Sequence, residues 1–346
     1  MHKYGEAVVL ASSYNNNSQI TRLAPSPTGA LHLGNARTFL LIWLWARKRG
    51  ARVVFRMEDL DGPRLKAGAD AMAIEDLRWL GLDWDVEVPK QSQRAGVYQR
   101  AVEDLLASGK AYGCVCSRKE MELAASAPHA GDGAGVYPGT CRGRFATLEA
   151  ARAAGSASVR FAVGDGVVEW EDLFAGRRAV DVARDLGDFV IAKADGTAAY
   201  QLAVVVDDAE SGVTDVIRGD DLLESAARQL LLYEAMGLGH LRPRYMHLPL
   251  VVGEDGRRLA KRHGDTRLGA YRGAGVSAGR VRGLVAAWCG WQTTAEPTME
   301  ELLGAFDLAS VPKVAVVMGE AEDEFLRGRA DHVSARLCAN RTAPLG

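Results

Sequence analysis

The chain has 346 residues, 48% of them hydrophobic and 25% charged, with a formal net charge of −2. That composition describes a globular protein with room for two or three domains, and it excludes a disordered, collagenous or strongly polybasic chain. The longest apolar runs, such as Phe39 to Trp45, are far short of a membrane span. A near-neutral total neither announces nor forbids nucleic-acid binding, because local patches decide that.

Residues 1–18 are expected to form a loose polar leader, since the run Tyr14-Asn15-Asn16-Asn17-Ser18 does not have the order of a secretory signal. Gln19 to Ala24 then reads as a strand. Two prolines and Gly29 follow, and an apolar-periodic stretch from Thr38 to Arg49 predicts a helix. A strand, a tight loop and a helix N-terminus make a place suited to phosphate, because free backbone N–H groups and a partial positive charge lie there. His32 and Gly34 sit at that junction, one offering a ring N–H and the other a close backbone approach.

The apolar, β-branched start of the stretch Arg52 to Asp61 predicts a second, parallel strand, and the acids Glu58, Asp59 and Asp61 arrive at its carboxyl end, where ligands bind in doubly wound sheets. Helices are predicted over Ala67 to Leu80 and from about Ala95 to Ser108, with a strand at Ala111 to Cys116. The alternation implies a parallel sheet with right-handed crossovers. From Ser117 to about Lys193 the pattern loosens into Gly, Ala and Arg, with short antiparallel strands expected at Val159 to Val163 and Val167 to Trp170. This stretch reads as an insertion between two halves of an α/β domain. Ala199 to Asp208 could be a strand or a buried helix. Thr214 to Gly219 predicts a strand, Leu222 to Met236 a helix, and Tyr245 to Val252 another strand. Two amphipathic helices are expected beyond, the second opened by a Thr298/Glu301 capping box, and the tail from Gly319 is expected to be disordered.

The expected organisation is therefore a leader at 1–18, the first half of the α/β domain at 19–116, an inserted domain at 117–193 and the second half at 194–252. A cationic loop with a helical region follows at 253–318, and the tail occupies 319–346. The loop carries Arg257-Arg258-Leu259-Ala260-Lys261-Arg262-His263-Gly264, whose cations suit a polyphosphate. Of five cysteines, Cys114, Cys116 and Cys141 lie close in sequence, while Cys289 and Cys338 stand alone; an odd count without a framework fits a reducing cytoplasm.

RLAPSPTGALHLGNART together with RLAKRHG resembles the HIGH and KMSKS motifs of class I aminoacyl-tRNA synthetases, specifically the glutamyl branch. FRMEDLD, YQLAVVVDD, VIRGDDL and HLPLVV are similar to that branch as well, so that the resemblance covers roughly Thr21 to Met318. Asn35 stands where the first motif ends in histidine, and Arg258, Ala260 and Arg262 depart from the second, while Lys261 is kept. About 80 residues follow Lys261, too few for a large helical anticodon-binding domain. The chain thus resembles the truncated paralogue family, the glutamyl-queuosine tRNA(Asp) synthetases.

The resemblance implies a Rossmann-type catalytic core with a zinc-containing inserted domain and a small C-terminal helical region. It implies ATP-dependent activation of L-glutamate and its transfer to the queuosine base in the anticodon loop of tRNA(Asp), by a protein expected to act as a monomer. Glutamate would be held by Arg22, Ala24, Ser26, Glu58, Tyr200 and Arg218, and ATP by Thr28, His32, Gly34, Asn35 and Lys261, with magnesium travelling with ATP. His32 and Lys261 would be the catalytic groups. Cys114, Cys116, Tyr137 and Cys141 resemble the family's zinc knuckle, with His129 a physical competitor for the place of Tyr137. A truncated glutamyl-tRNA synthetase charging tRNA(Glu), or an inactive tRNA-binding paralogue, are the alternative readings.

Overall fold

The computed structural model describes residues 19–60, 65–117, 136–259 and 265–338. Lys261, the leader, His129 and residues 339–346 lie outside them.

Strand β1 (Ile20–Leu23) enters the core and is followed by helix α1 (Leu33–Lys48), β2 (Arg52–Phe55), α2 (Ala69–Trp79), β3 (Val86–Glu87) and α3 (Ala95–Ala107). β1, β2 and β3 are parallel neighbours, as the alternation predicts. The helix after β1 begins five residues earlier than its apolar periodicity, at Leu33, because His32 and Asn35 cap it there. Its apolar residues run nearly all the way round, and the helix is buried to match. Leu40, Leu44 and Trp45 belong to the same buried cluster as Leu284, Val285 and Trp288 of a C-terminal helix that contacts α1.

β4 (Ala111–Cys114) does not extend that parallel sheet. After α4 (Leu148–Ala154) the chain forms β5 (Ser158–Phe161), β6 (Val167–Asp172), β7 (Gly176–Asp181), α5 (Val182–Asp185) and β8 (Phe189–Ala192). β4 runs antiparallel to β5, and β5 antiparallel to β8, in a separate three-stranded sheet. Alternation of strand and helix cannot reveal this, since it fixes the type of an element and not its partner. β6 and β7 form an antiparallel hairpin, whose Asp172 end pairs parallel with a strand of the main sheet.

The stretch that periodicity left open is helix α6 (Tyr200–Glu210), buried from Leu202 through Ala209. The valines would favour a strand locally, and burial among helices overrides that preference. β9 (Asp215–Gly219), α7 (Leu223–Ala235), β10 (Arg244–Leu248) and β11 (Val251–Val252) complete the second half. β9 and β10 are parallel. β9 lies beside β1, where the Thr214 N–H donates to the Ile20 carbonyl at 2.9 Å. The three-stranded sheet β3–β2–β1 thus meets the four-stranded sheet β9–β10–β6–β7 edge to edge at β1 and β9, and the order of strands turns back there. In a doubly wound sheet that reversal opens the ligand crevice. Side chains alternate across it: Val216 packs with Ala226 and Leu230 of α7, and Ile217 with the core around α1.

Helices α8 (Leu268–Gly273), α9 (Ala278–Trp288) and α10 (Met299–Ala305) follow, α10 opened by the expected capping box of Thr298 and Glu301. The tail expected to be disordered is folded as far as Cys338. β12 (Val316–Val317) pairs with β11, and α11 (Glu320–Leu326) buries Phe325 and Leu326 in the α1 core. Arg336 then closes on Glu322 and Glu254, an anchoring that composition does not convey. Among the described residues no helix is long and apolar enough to cross a membrane.

Candidate active site and metal cluster

The crevice between β1 and β9 is a cleft of about 490 Å³. Arg22, Ala24, Ser26, Thr28, His32, Gly34, Asn35, Glu58, Tyr200 and Arg218 all line it. Ten positions drawn from four separate stretches of sequence thus share one wall-to-wall space, although Lys261 falls outside the described residues.

At the ATP-motif end, His32 is the N-cap of α1. Its Nδ1 accepts from the Gly34 N–H at 3.1 Å and the Asn35 N–H at 3.4 Å. An accepting Nδ1 leaves the ring proton on Nε2, so the ring is a neutral donor. Burial, with Arg258 nearby, lowers its pKa to about 4, so it stays neutral at physiological pH. The Asn35 side chain closes a capping box by accepting from the His32 N–H at 3.0 Å. The departure from histidine in the motif's last place therefore serves the helix start. Gly34 is required for the same geometry: a Cβ there would lie 2.9 Å from His32 Cε1. Across the mouth, Arg258 pairs with Asp221 at 2.8 Å; the sequence reading gave Asp221 no role.

At the other end lie the charged groups. Glu58 follows β2, Arg22 sits on β1 and Arg218 on β9. All three are buried. Arg22 Nη1 donates to the Ile217 carbonyl at 3.1 Å, which ties the two strands across the crevice. Arg218 Nη1 reaches the Tyr200 hydroxyl at 3.4 Å and Gln229 Oε1 at 3.0 Å. Burial raises the pKa of Tyr200, keeping it a protonated donor.

Beneath Glu58 is a group inside the FRMEDLD motif that has no role in the expected glutamate and ATP pockets. Arg56 is wholly buried and donates to Glu58 Oε1 at 2.9 Å and Asp208 Oδ1 at 2.6 Å, with Asp207 Oδ2 at 3.7 Å. Asp208 also lies 3.5 Å from Arg22. Asp207 accepts from Gln91 at 2.7 Å, Arg94 at 2.8 Å and the Tyr98 hydroxyl at 2.9 Å. One guanidinium thus links two cleft residues to the carboxylates of α6. Burial pushes the Glu58 carboxyl up, and Arg56 and Arg22 oppose that rise. A signal was present in sequence: an arginine at the end of an apolar strand and two adjacent aspartates inside a valine-rich run must find partners when buried.

Cys114, Cys116 and Cys141 converge away from the cleft, their sulfurs all within 4.8 Å of one another. Cys116 and Cys141 sulfurs are 3.5 Å apart, and none of the five cysteines is in a disulfide. The Tyr137 oxygen lies 3.3 Å from Cys114 Sγ, 3.5 Å from Cys116 Sγ and 2.9 Å from the Cys141 N–H. Arg160 Nε donates to Cys114 Sγ at 3.3 Å, and its guanidinium stacks on the Tyr137 ring at 3.9 Å. Thiolates at about 2.3 Å from a tetrahedral ion lie roughly 3.8 Å from each other, so these sulfurs suit a metal such as zinc.

Residues 19–312 match the family of tRNA synthetases class I (E and Q), catalytic domain. Glutamyl-Q tRNA(Asp) synthetase of Symbiobacterium thermophilum is 48% identical over 308 residues, covering 85% of this chain and 94% of that protein. The protein of the same description from Rhodopirellula baltica is 48% identical over 271 residues, covering 75% and 82%. Among solved structures, glutamate-tRNA synthetase from Elizabethkingia anophelis superposes with a TM-score of 0.76 at 29% identity, covering 90% of this chain and 70% of that one. The core is accordingly a class I Rossmann-fold catalytic domain with C-terminal helices and a cysteine cluster able to coordinate a metal, and the chain belongs to the glutamyl-Q tRNA(Asp) synthetase family.

Proposed function

We propose that this chain activates glutamate with ATP and passes the glutamyl group to the queuosine base of tRNA(Asp). The observation that carries the reading is the convergence of one carboxylate, two guanidiniums and a phenol in the crevice, next to a capped helix N-terminus with a neutral imidazole. Glutamate carries one ammonium and two carboxylates, so it needs that inventory of partners. Glu58 takes the ammonium, whose positive charge favours its ionised form. Arg22 and Arg218 hold the carboxylates, with Tyr200 donating a hydroxyl and the Ala24 and Ser26 stretch bounding the pocket. ATP lies along Thr28 to Asn35, its phosphates toward the His32 Nε2–H, and Lys261, outside the described residues, is their expected partner by its motif.

In the first step an α-carboxylate oxygen of glutamate forms a bond to the α-phosphorus, and the bond to the bridging oxygen breaks as pyrophosphate leaves. No protein nucleophile is needed. Positioning and donors aimed at the developing charge supply the rate. Magnesium, carried in with ATP, would neutralise phosphate charge. In the second step a hydroxyl of the modified base attacks the activated carbonyl and AMP departs. Zinc held by Cys114, Cys116, Cys141 and Tyr137 would supply structure and no chemistry, because the cluster does not line the cleft. The free thiols accord with a cytoplasmic setting.

The first step is tested by glutamate-dependent ATP–pyrophosphate exchange without tRNA. Lys261→Ala is expected to lower exchange about a hundredfold to a thousandfold, as for loss of one donor to a developing oxyanion. Equilibrium glutamate binding should stay within about twofold, since that group meets only phosphate. Equal losses in both would remove Lys261 from the phosphate role, and no exchange by the unaltered chain would favour the inactive, tRNA-binding reading or a glutamyl-tRNA synthetase that needs its tRNA.

A further inference from the structure

Arg218 is held by a chain of buried side chains that runs across three adjacent strands. On β9 it stands directly opposite His247 of β10, its register partner. On the far side of β10, Asp172 ends β6 and pairs in register with Tyr245. Arg218 Nε donates to His247 Nε2 at 3.0 Å, and His247 Nδ1 lies 2.6 Å from Asp172 Oδ2. The His247 and Asp172 side chains have no exposed surface, and neither residue lines the cleft.

The protons in this chain can be assigned from chemistry alone. Arginine Nε is always an N–H donor, so the imidazole nitrogen facing it must present a lone pair. The ring proton is therefore on Nδ1, directed at Asp172. Asp172 is fixed in turn, because its Oδ1 accepts from the N–H groups of His247, Phe174 and Ala175 at 3.1, 3.1 and 2.8 Å. Burial works against its ionised form, and the His247 ring, followed by the backbone N–H groups of Ala175 and His247, outweighs it and holds the carboxyl below the usual range. Burial and Arg218 lower the pKa of His247, which keeps it neutral. Around the guanidinium, the Leu222 carbonyl accepts from Nη2 at 3.2 Å, Gln229 and Tyr200 take Nη1, and the Tyr245 ring lies 5.3 Å away.

We propose that His247 and Asp172 are positioning residues for glutamate recognition: the ionised Asp172 fixes the Nδ1–H tautomer of His247, and the free Nε2 lone pair fixes the plane in which Arg218 meets a carboxylate. The inference rests on Arg218 being a carboxylate-binding arm of the cleft. Without the Nε2 acceptor, a buried N–H of Arg218 is unpaired, and the guanidinium turns to satisfy it elsewhere. A carboxylate that takes the remaining Nη2–H and the Nη1–H now shared with Tyr200 at 3.4 Å is sensitive to that turn, whereas ATP, at the other end of the cleft, is not.

The test is a set of glutamate and ATP titrations in pyrophosphate exchange for His247→Leu, His247→Gln, Asp172→Asn and Arg218→Lys, beside a ¹⁵N spectrum of the histidine rings in the unaltered chain. His247→Leu should raise the glutamate KM about tenfold to a hundredfold, the range for losing a hydrogen bond to a charged group. Its ATP KM should stay within about twofold. His247→Gln, whose amide oxygen can take the place of Nε2, should recover most of the loss, and Asp172→Asn should fall between. Equal movement of both KM values in His247→Leu would mean general disruption and would overturn the proposal. So would an unmoved glutamate KM in that variant while Arg218→Lys raises it. If Arg218→Lys leaves the glutamate KM alone, the carboxylate-binding reading of Arg218 fails first, which separates the two failures. The spectrum decides even if His247→Leu does not fold: an Nδ1-protonated ring supports the relay, and an Nε2-protonated ring contradicts it.

Discussion

Arg56→Met should destabilise the fold by about 3–5 kcal/mol, the cost of stripping a buried charge from its partners. Methionine restores much of the volume, so the loss comes from electrostatics and less from a cavity. Glu58, Asp207 and Asp208 all face the missing guanidinium, and among the described residues Arg22 and Arg94 remain as ion-pair partners to offset them. The sign of the pH dependence separates this cause from poor packing. Carboxyls deprived of a buried cation have folded pKa values above their unfolded ones. The folded state then binds more protons, and the variant regains stability as pH falls toward the carboxylate range. A packing defect would be indifferent to pH. Urea unfolding of the variant and the parent at pH 7 and pH 5 therefore distinguishes them, with the deficit expected to shrink at pH 5. The glutamate KM should rise in parallel, because Glu58 loses the partner 2.9 Å away that orients it. A variant of parental stability at both pH values would show that Arg56 does not hold the network.

The metal cluster should be separable from the cleft. Cys141→Ala is expected to reduce bound zinc from one ion per chain to near none, since a closed structural site needs all of its ligands. The local loss should be large, because binding free energies of about 10–16 kcal/mol are typical of structural zinc in small peptides and feed directly into folding. Opening is expected in the sheet of β4, β5 and β8, where Cys114 and Arg160 join the cluster. It should appear as new proteolytic cleavage between Tyr137 and Phe161. Pyrophosphate exchange should persist, because no residue of the cluster lines the cleft. Tyr137→Phe then tests the fourth ligand: weakened zinc binding assigns the phenol, and unchanged binding points to His129 in its place. Exchange that disappears along with the metal would contradict the separation.

The parts of the fold read from the sequence were those with a local cause. The order of strands and helices around α1 follows from periodicity, and the α10 start follows from Thr298 and Glu301, residues in contact along the chain. The cleft residues were legible because long motifs carry them, and the sheet reversal gathers those motifs at one crevice. What was not legible depended on distant partners. β4 looks like any strand, and only its pairing with β5 takes it out of the parallel sheet. The valines of α6 suit a strand until burial on several sides is known. The tail is polar and rich in arginine, yet Arg336 anchors it to Glu322, a residue with no exposed surface. Arg56 and His247 matter through neighbours far along the chain from them, Asp208 and Asp172. No spacing rule contains such pairs, although a charged residue embedded in an apolar run is itself a sign that one exists.

The acceptor is tested most directly by transfer of labelled glutamate to purified tRNA(Asp) with and without queuosine, with tRNA(Glu) alongside. Label should enter queuosine-bearing tRNA(Asp) alone, and should remain with the anticodon-loop fragment after nuclease cleavage. Label on the 3′ end of tRNA(Glu) would contradict the account.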